Sequence, residues 1–194
     1  MTKVPIRESG DPVLYATAEP VPHELFGTEK LRSIIADMAD TVDAESDGVA
    51  IAAPQIGIPY RIFLVRYDRM KPTPAEGEPV PAPEVGVFIN PEFVRLSQKS
   101  KTRDEGCLSV RGKYGKTKRR ERATIRAYDA DGIAFERGGG GILAQAFQHE
   151  TDHLNGILFT DHAVELVEVS AEERAQTRDE RRKAREEHGD YDIE

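Results

Sequence analysis

Gln148-His149-Glu150-Thr151-Asp152-His153-Leu154-Asn155-Gly156 is the stretch whose reading decides the fold. It has the form H-E-x-x-H, and on a period of 3.6 residues His149 and His153 stack on one face of a helix. Two neutral imidazoles at that spacing can hold one divalent metal, with Glu150 beside a water on it. The plainer alternative is a solvated helix face with two incidental histidines. That is the weaker reading, because only five His occur in 194 residues and two of them bracket a Glu in an otherwise apolar helix. Ile142, Leu143, Ala146, Phe147 and Leu154 point this helix at a core, and Gly156 offers its end. The motif therefore sits mid-helix, where geometry is stiff.

Working outward, Gly138 to Gly141 lacks the lysine and hydroxyl of a phosphate loop and reads as a flexible helix entry. Ala123 to Tyr128 runs into Asp129-Ala130-Asp131-Gly132-Ile133, a hairpin signal with its turn at Asp131-Gly132. Val87 to Ile89 and Glu92 to Leu96 flank Asn90-Pro91 and suggest strand, turn, strand. Met70 to Gly86 holds five of the twelve prolines and reads as an exposed loop. Arg61 to Arg66 is a buried strand by composition. Leu31, Ile34, Ile35, Met38, Ala39 and Val42 recur at helical spacing, in a helix that should end before Asp47-Gly48. The first thirty residues, broken by four prolines, read as loop. Gly48 to Gln55 is made of small residues ending in an amide, suited either to close approach of a ligand or to tight packing.

Composition bounds the function. The chain length suits one domain. The net charge of −8 argues against nucleic acid as the main ligand. No stretch approaches the roughly 18 apolar residues of a membrane span, and no secretory leader is visible. One cysteine, Cys107, forms no internal disulfide and agrees with a reducing compartment. A cytoplasmic protein is expected.

A catalytic metal usually has three protein ligands and an open position. A third histidine in the longer H-E-x-x-H-x-x-G-x-x-H pattern fails, because that position holds Phe159. A downstream carboxylate, Glu172 or Glu173, lies in a charge-rich tail. Cys107, in Glu105-Gly106-Cys107-Leu108-Ser109, reads equally well alone as a small buried hydrophobe, but beside an incomplete His-His site it is the best candidate: a thiolate suits zinc or iron, and Gly106 lets the backbone bend close to the metal.

Three stretches together, Gly48 to Gln55, Glu105 to Ser109 and Gln148 to His153, match in order the motifs G-φ-G-φ-A-A-x-Q, E-G-C-L-S and Q-H-E-x-D-H. The sequence thus resembles the peptide deformylases over roughly residues 4 to 165. The resemblance implies an α+β fold in one domain, with antiparallel strands packed around a central helix carrying the H-E-x-x-H motif. It implies that Cys107, His149 and His153 hold one divalent metal, Fe2+ in the family, with Zn2+, Ni2+ or Co2+ able to substitute. Glu150 would be the proton carrier, and Gln55 with the backbone N–H of Leu108 would stabilise the oxyanion as the formyl group of N-formylmethionyl nascent peptides is hydrolysed. Gly48, Ala50 and Arg119 would contact substrate.

Two departures stand out. Ala50 replaces the motif's second glycine, adding a methyl where altered fit is expected, and Arg111 stands where the family often has Pro. The catalytic domain is expected over 1–165. Residues 166–194 read as a charged, helical extension whose Arg178 to Arg185 cluster suggests contact with the ribosome. Rival readings are a zinc endopeptidase using Glu172 or Glu173, a metal-binding module without turnover, and a cysteine hydrolase pairing Cys107 with His149.

Overall fold

The computed structural model describes residues 4–45, 48–70, 82–170 and 173. Two helices and eight strands organise it: α1 (Glu29–Asp43), β1 (Ala50–Ala52), β2 (Ile62–Arg66), β3 (Val85–Leu96), β4 (Ser100–Cys107), β5 (Val110–Arg120), β6 (Arg122–Tyr128), β7 (Ala134–Gly140), α2 (Gly141–Leu154) and β8 (Val164–Glu168). The strands form two sheets, one ordered β1-β2-β3-β6-β7 and one ordered β4-β5-β8. All pairings within them are antiparallel. This is the expected α+β arrangement, with α2 packed on β1, β2, β6 and β7 of one sheet and on β5 of the other.

Strand alternation explains the two cores. In β2, Phe63 and Val65 face α2, joining Ala50, Ala52, Phe88, Leu143, Ala146 and Phe147. Ile62 and Leu64 face the other way, onto Leu31, Ile34, Met38 and Val42 of α1. A strand buried on both faces reads as a continuous apolar run, as Ile62-Phe63-Leu64-Val65 does. The helix α1 starts where Thr28 accepts a hydrogen bond from Leu31 N at 3.3 Å, the usual device for an orphan N–H of the first turn.

Several expectations are corrected. Asn90-Pro91 is no turn: β3 runs through it, with a register shift between Ile89 and Glu92. Asn90 takes a left-handed φ of 50°, which its side chain tolerates, and binds both backbone groups of Val21, at 2.8 and 3.0 Å. Pro91, with no N–H for the ladder, is placed at the irregularity, where its missing donor costs least. Gly138 to Gly140 are not a flexible entry either. They pair with Thr124, Ala123 and Arg122, and a Cβ on Gly139 would lie 2.5 Å from Leu143. The region expected as loop keeps that reading only in part, since Met70 is fully buried and Val85 and Gly86 belong to β3; residues 71–81 lie outside the described residues. Finally, β8 crosses the boundary expected at residue 165 and is strand, not helix, through Glu168. The Arg178 to Arg185 cluster lies outside the described residues.

Ala50 also departs from expectation. Its side chain is buried in the cluster that α2 shares with β2, so the methyl fills core rather than facing a ligand. Ala50→Gly should cost about 1–2 kcal/mol, from lost burial and added chain entropy. A melting midpoint lowered by a few degrees, with kcat/KM within fivefold of the parent, is expected; activity raised by orders of magnitude would contradict this placement.

Candidate active site

The hairpin β4–β5 presents its residues to α2 by simple alternation. Glu105 and Cys107 are two apart on β4, hence on one face, and a register shift between Gly106 and Cys107 re-aims the cysteine. Gly106 is required for a reason other than backbone bending: a Cβ there would meet the Tyr114 ring at 2.7 Å. Cys107 pairs with Val110, so Leu108 and Ser109 form the intervening turn, which leaves the Leu108 N–H outside the ladder.

Donor atoms of Cys107, His149 and His153 all lie within 4.8 Å of one another, and Cys107 Sγ is 3.2 Å from His153 Nε2. One ion with bonds of roughly 2.0–2.3 Å needs spacings of that order. A second observation fits the same group. Glu105, buried to 5% exposure, takes His149 Nδ1 through its Oε1, which leaves Nε2 to face the cysteine. A carboxylate on the far nitrogen is how metal-binding histidines are usually oriented. Glu105 also accepts from Thr117 Oγ1 and from Arg119, Nε at 3.0 Å and Nη2 at 2.6 Å. Arg119 Nη1 reaches Asp152 of α2 at 2.6 Å.

The electrostatics follow from this crowding. Burial alone pushes the Cys107 thiol up, but the facing His153 and His149 rings outweigh it and hold the thiol well below its ordinary range. Burial likewise disfavours the charged form of His149, yet Cys107 and Glu105 raise it well above the usual value. The two rings thus favour the thiolate form of Cys107, the form that binds a metal. Burial pushes Glu150 up to about 7, against the opposing pull of both histidines, and its Oε2 has no hydrogen-bond partner among the described residues. A buried carboxyl without a partner, beside two metal-binding rings, is placed to exchange a proton.

Gln55 reaches the site from the turn after β1. Its Oε1 accepts from Ala52 N at 2.8 Å, and Nε2 donates to Ser109 Oγ at 3.1 Å and towards Cys107 Sγ at 3.6 Å. The amide is therefore locked with its donors towards the sulfur. Gly48 lies where a Cβ would come within 3.3 Å of Leu108, Glu45 and Val42.

A family model, described as polypeptide deformylase, matches residues 3–169. The chain belongs to the polypeptide deformylase family. A peptide deformylase of Halothermothrix orenii is 39% identical over 168 residues, 87% of this chain and 98% of that protein. The peptide deformylase of Thermotoga maritima is similar in structure with a TM-score of 0.72 and 32% identity, covering 84% of this chain and 99% of that one. A class I type b peptide deformylase of Acinetobacter baumannii bound to Met-Ala-Ser gives 0.72 and 31%, covering 84% and 100%. Family membership makes the chain a metal-dependent hydrolase that removes the N-terminal formyl group of newly made peptides.

Measured against the expectations, the structure brings Cys107, His149, His153, Glu150 and Gln55 together. Arg119, expected at the substrate, is instead buried and committed to Glu105 and Asp152. Glu173 is engaged with Ser170 in an exposed position and is not among the residues whose donor atoms converge with those of the histidines; Glu172 lies outside the described residues. Sequence reasoning missed Glu105, Thr117 and Asp152 as site residues. For Glu105 a signal existed: a carboxylate two residues before a metal cysteine on a strand shares its face. No helix among the described residues is long and apolar enough to cross a membrane.

Proposed function

We propose that this deformylase works in the cytoplasm on N-formylmethionyl peptides, with Cys107, His149 and His153 holding one iron(II). The convergence of those three donors beside the buried carboxyl of Glu150 carries the reading. When bound, the metal supplies the Lewis acidity that makes water nucleophilic near neutral pH.

Glu150 accepts the proton of the attacking water and delivers it to the amine nitrogen as the formyl C–N bond breaks, yielding formate and a free N-terminal methionine. Gln55 Nε2 and the Leu108 N–H donate to the oxygen that becomes negative as the formyl carbon turns tetrahedral. Both are preorganised: Gln55 by Ala52 and Ser109, Leu108 by its hairpin turn. Glu105 fixes the ring of His149, and Arg119 with Asp152 fixes Glu105, so these three act as positioning residues. Residues Gly48 to Ala50 lead into β1, the outer strand of its sheet, whose backbone suits an extended peptide added as a further strand.

The test is formate release from formyl-Met-Ala-Ser by anaerobically purified protein with its metal content measured. Stoichiometric iron with turnover is expected; iron-loaded protein releasing no formate would overturn the reading.

A further inference from the structure

Arg111, one of the chain's two departures from the family motifs, follows Val110, the residue that closes the turn carrying the Leu108 N–H. Its guanidinium leaves the hairpin and crosses to Glu45, two residues past the end of α1. There it makes a bidentate pair, Nη1 donating to Oε2 at 3.1 Å and Nη2 to Oε1 at 3.0 Å. A Cβ on Gly48 would lie 3.3 Å from Glu45 Cβ and 3.3 Å from the Leu108 side chain. Glu45, Gly48, Leu108 and Arg111 therefore close a loop of contacts between the segment that leads into β1 and the turn after the metal cysteine.

The α1 side of that loop is anchored on its own account. Arg69 Nη1 donates to the carbonyls of Val42, Glu45 and Gly48 at 3.0, 2.7 and 2.7 Å, and Gly48 N donates to Glu45 O at 3.2 Å. The turn is tied elsewhere at Ser109, whose O accepts from Ser9 N at 2.8 Å and whose Oγ accepts from Gln55 at 3.1 Å. Those bonds fasten it to the opening residues and to the amide; the ion pair fastens it to α1. An exposed ion pair commonly contributes little. This one differs, because Glu45 is only 8% exposed and a bidentate fork fixes direction as well as distance.

We propose that the Glu45–Arg111 pair is a brace that positions the Leu108 N–H for the developing oxyanion, which makes both residues positioning residues for deformylation. This rests on the reading of Leu108 as an oxyanion donor. A donor of that kind helps only when it points to where the charge appears, and removing one outright costs roughly 10²–10³ in rate. A donor that is present but displaced loses part of that. The charge exists only in the transition state, so the loss falls on kcat and not on KM. Neither residue is among the converging metal donors, so metal binding is spared.

The test is steady-state formate release from formyl-Met-Ala-Ser by iron-loaded R111M, E45Q and E45Q/R111M, with metal content and melting midpoint measured alongside. Each variant should lose roughly 5- to 30-fold in kcat, with KM within about twofold of the parent and a full equivalent of metal. The double variant should fall no further than either single one, because both remove the same interaction. R111K, which keeps the charge without the fork, should recover part of the loss. Should R111M melt early, E45Q against E45Q/R111M carries the test, with equal kcat expected. Parent-like kcat in the double variant, losses that multiply, or a loss seen as raised KM or missing metal would overturn the brace. An iron-loaded parent that releases no formate overturns the deformylase reading and the brace with it; an active parent matched by its variants overturns the brace alone.

Discussion

Glu150→Gln should lower kcat for formate release by a thousandfold or more while leaving KM and metal content unchanged. The amide keeps the size of the side chain and one acceptor oxygen, so the buried site, 3% exposed at this residue, has no reason to collapse. What is lost is the ability to carry a proton. General base catalysis alone is worth roughly 10²–10⁴ in rate, and here one carboxyl serves twice, first for water and then for the leaving amine. Burial raises Glu150 to about 7, which matches such a carrier to neutral conditions. Single-turnover and steady-state kinetics on metal-quantified protein measure the effect. A loss smaller than tenfold would remove Glu150 from the proton path.

Cys107→Ser should abolish metal retention and activity together. A serine hydroxyl stays protonated at neutral pH, so the substitution removes both the negative charge and the soft donor, leaving His149 and His153 as a two-ligand site. Less than about a tenth of an equivalent of metal should survive dialysis against a chelator, compared with a full equivalent in the parent, because the one anionic ligand is gone. The same experiment separates the rivals. Metal and activity both retained would favour a carboxylate-completed peptidase. Activity lost with metal retained would favour cysteine chemistry on Cys107.

Much of the site was legible because its chemistry is local. His149, Glu150 and His153 share one helix, and helical spacing alone brings them together. Cys107 was reached only by elimination of the other third ligands and Gln55 required the family resemblance, since nothing in their own segments says that β4 and the turn after β1 converge on α2. The fold was legible where one periodicity dominates, as in α1, β2 and the β6–β7 hairpin. It was misread where special residues imitate turn signals: Asn90-Pro91 marks an irregularity inside β3, and the glycines at 138–140 thin a strand so that Leu143 can pack on it. Arg119 was misplaced for a different reason. An arginine's partners depend on burial, and β5 alternates so that Arg119 faces inwards while Lys118 and Arg120 face out.

The strip leading to Ala18 is tied to parts of the chain far away in sequence. Arg7 N donates to Gln55 O at 2.7 Å, Ser9 N to Ser109 O at 2.8 Å and Ala18 N to Leu154 O at 2.9 Å. A Cβ on Gly156 would lie 2.5 Å from the carbonyl oxygen of Tyr15. During synthesis this strip precedes its anchors, and the last of them, Leu154, is made 136 residues after Ala18. Each anchor adjoins a working part: the oxyanion amide, the turn after the metal cysteine, and the end of the histidine helix. Residues 7 to 18 therefore act as a clasp across the catalytic pieces, and protection of the Arg7 and Ser9 amides from hydrogen exchange reports that those pieces are held as one.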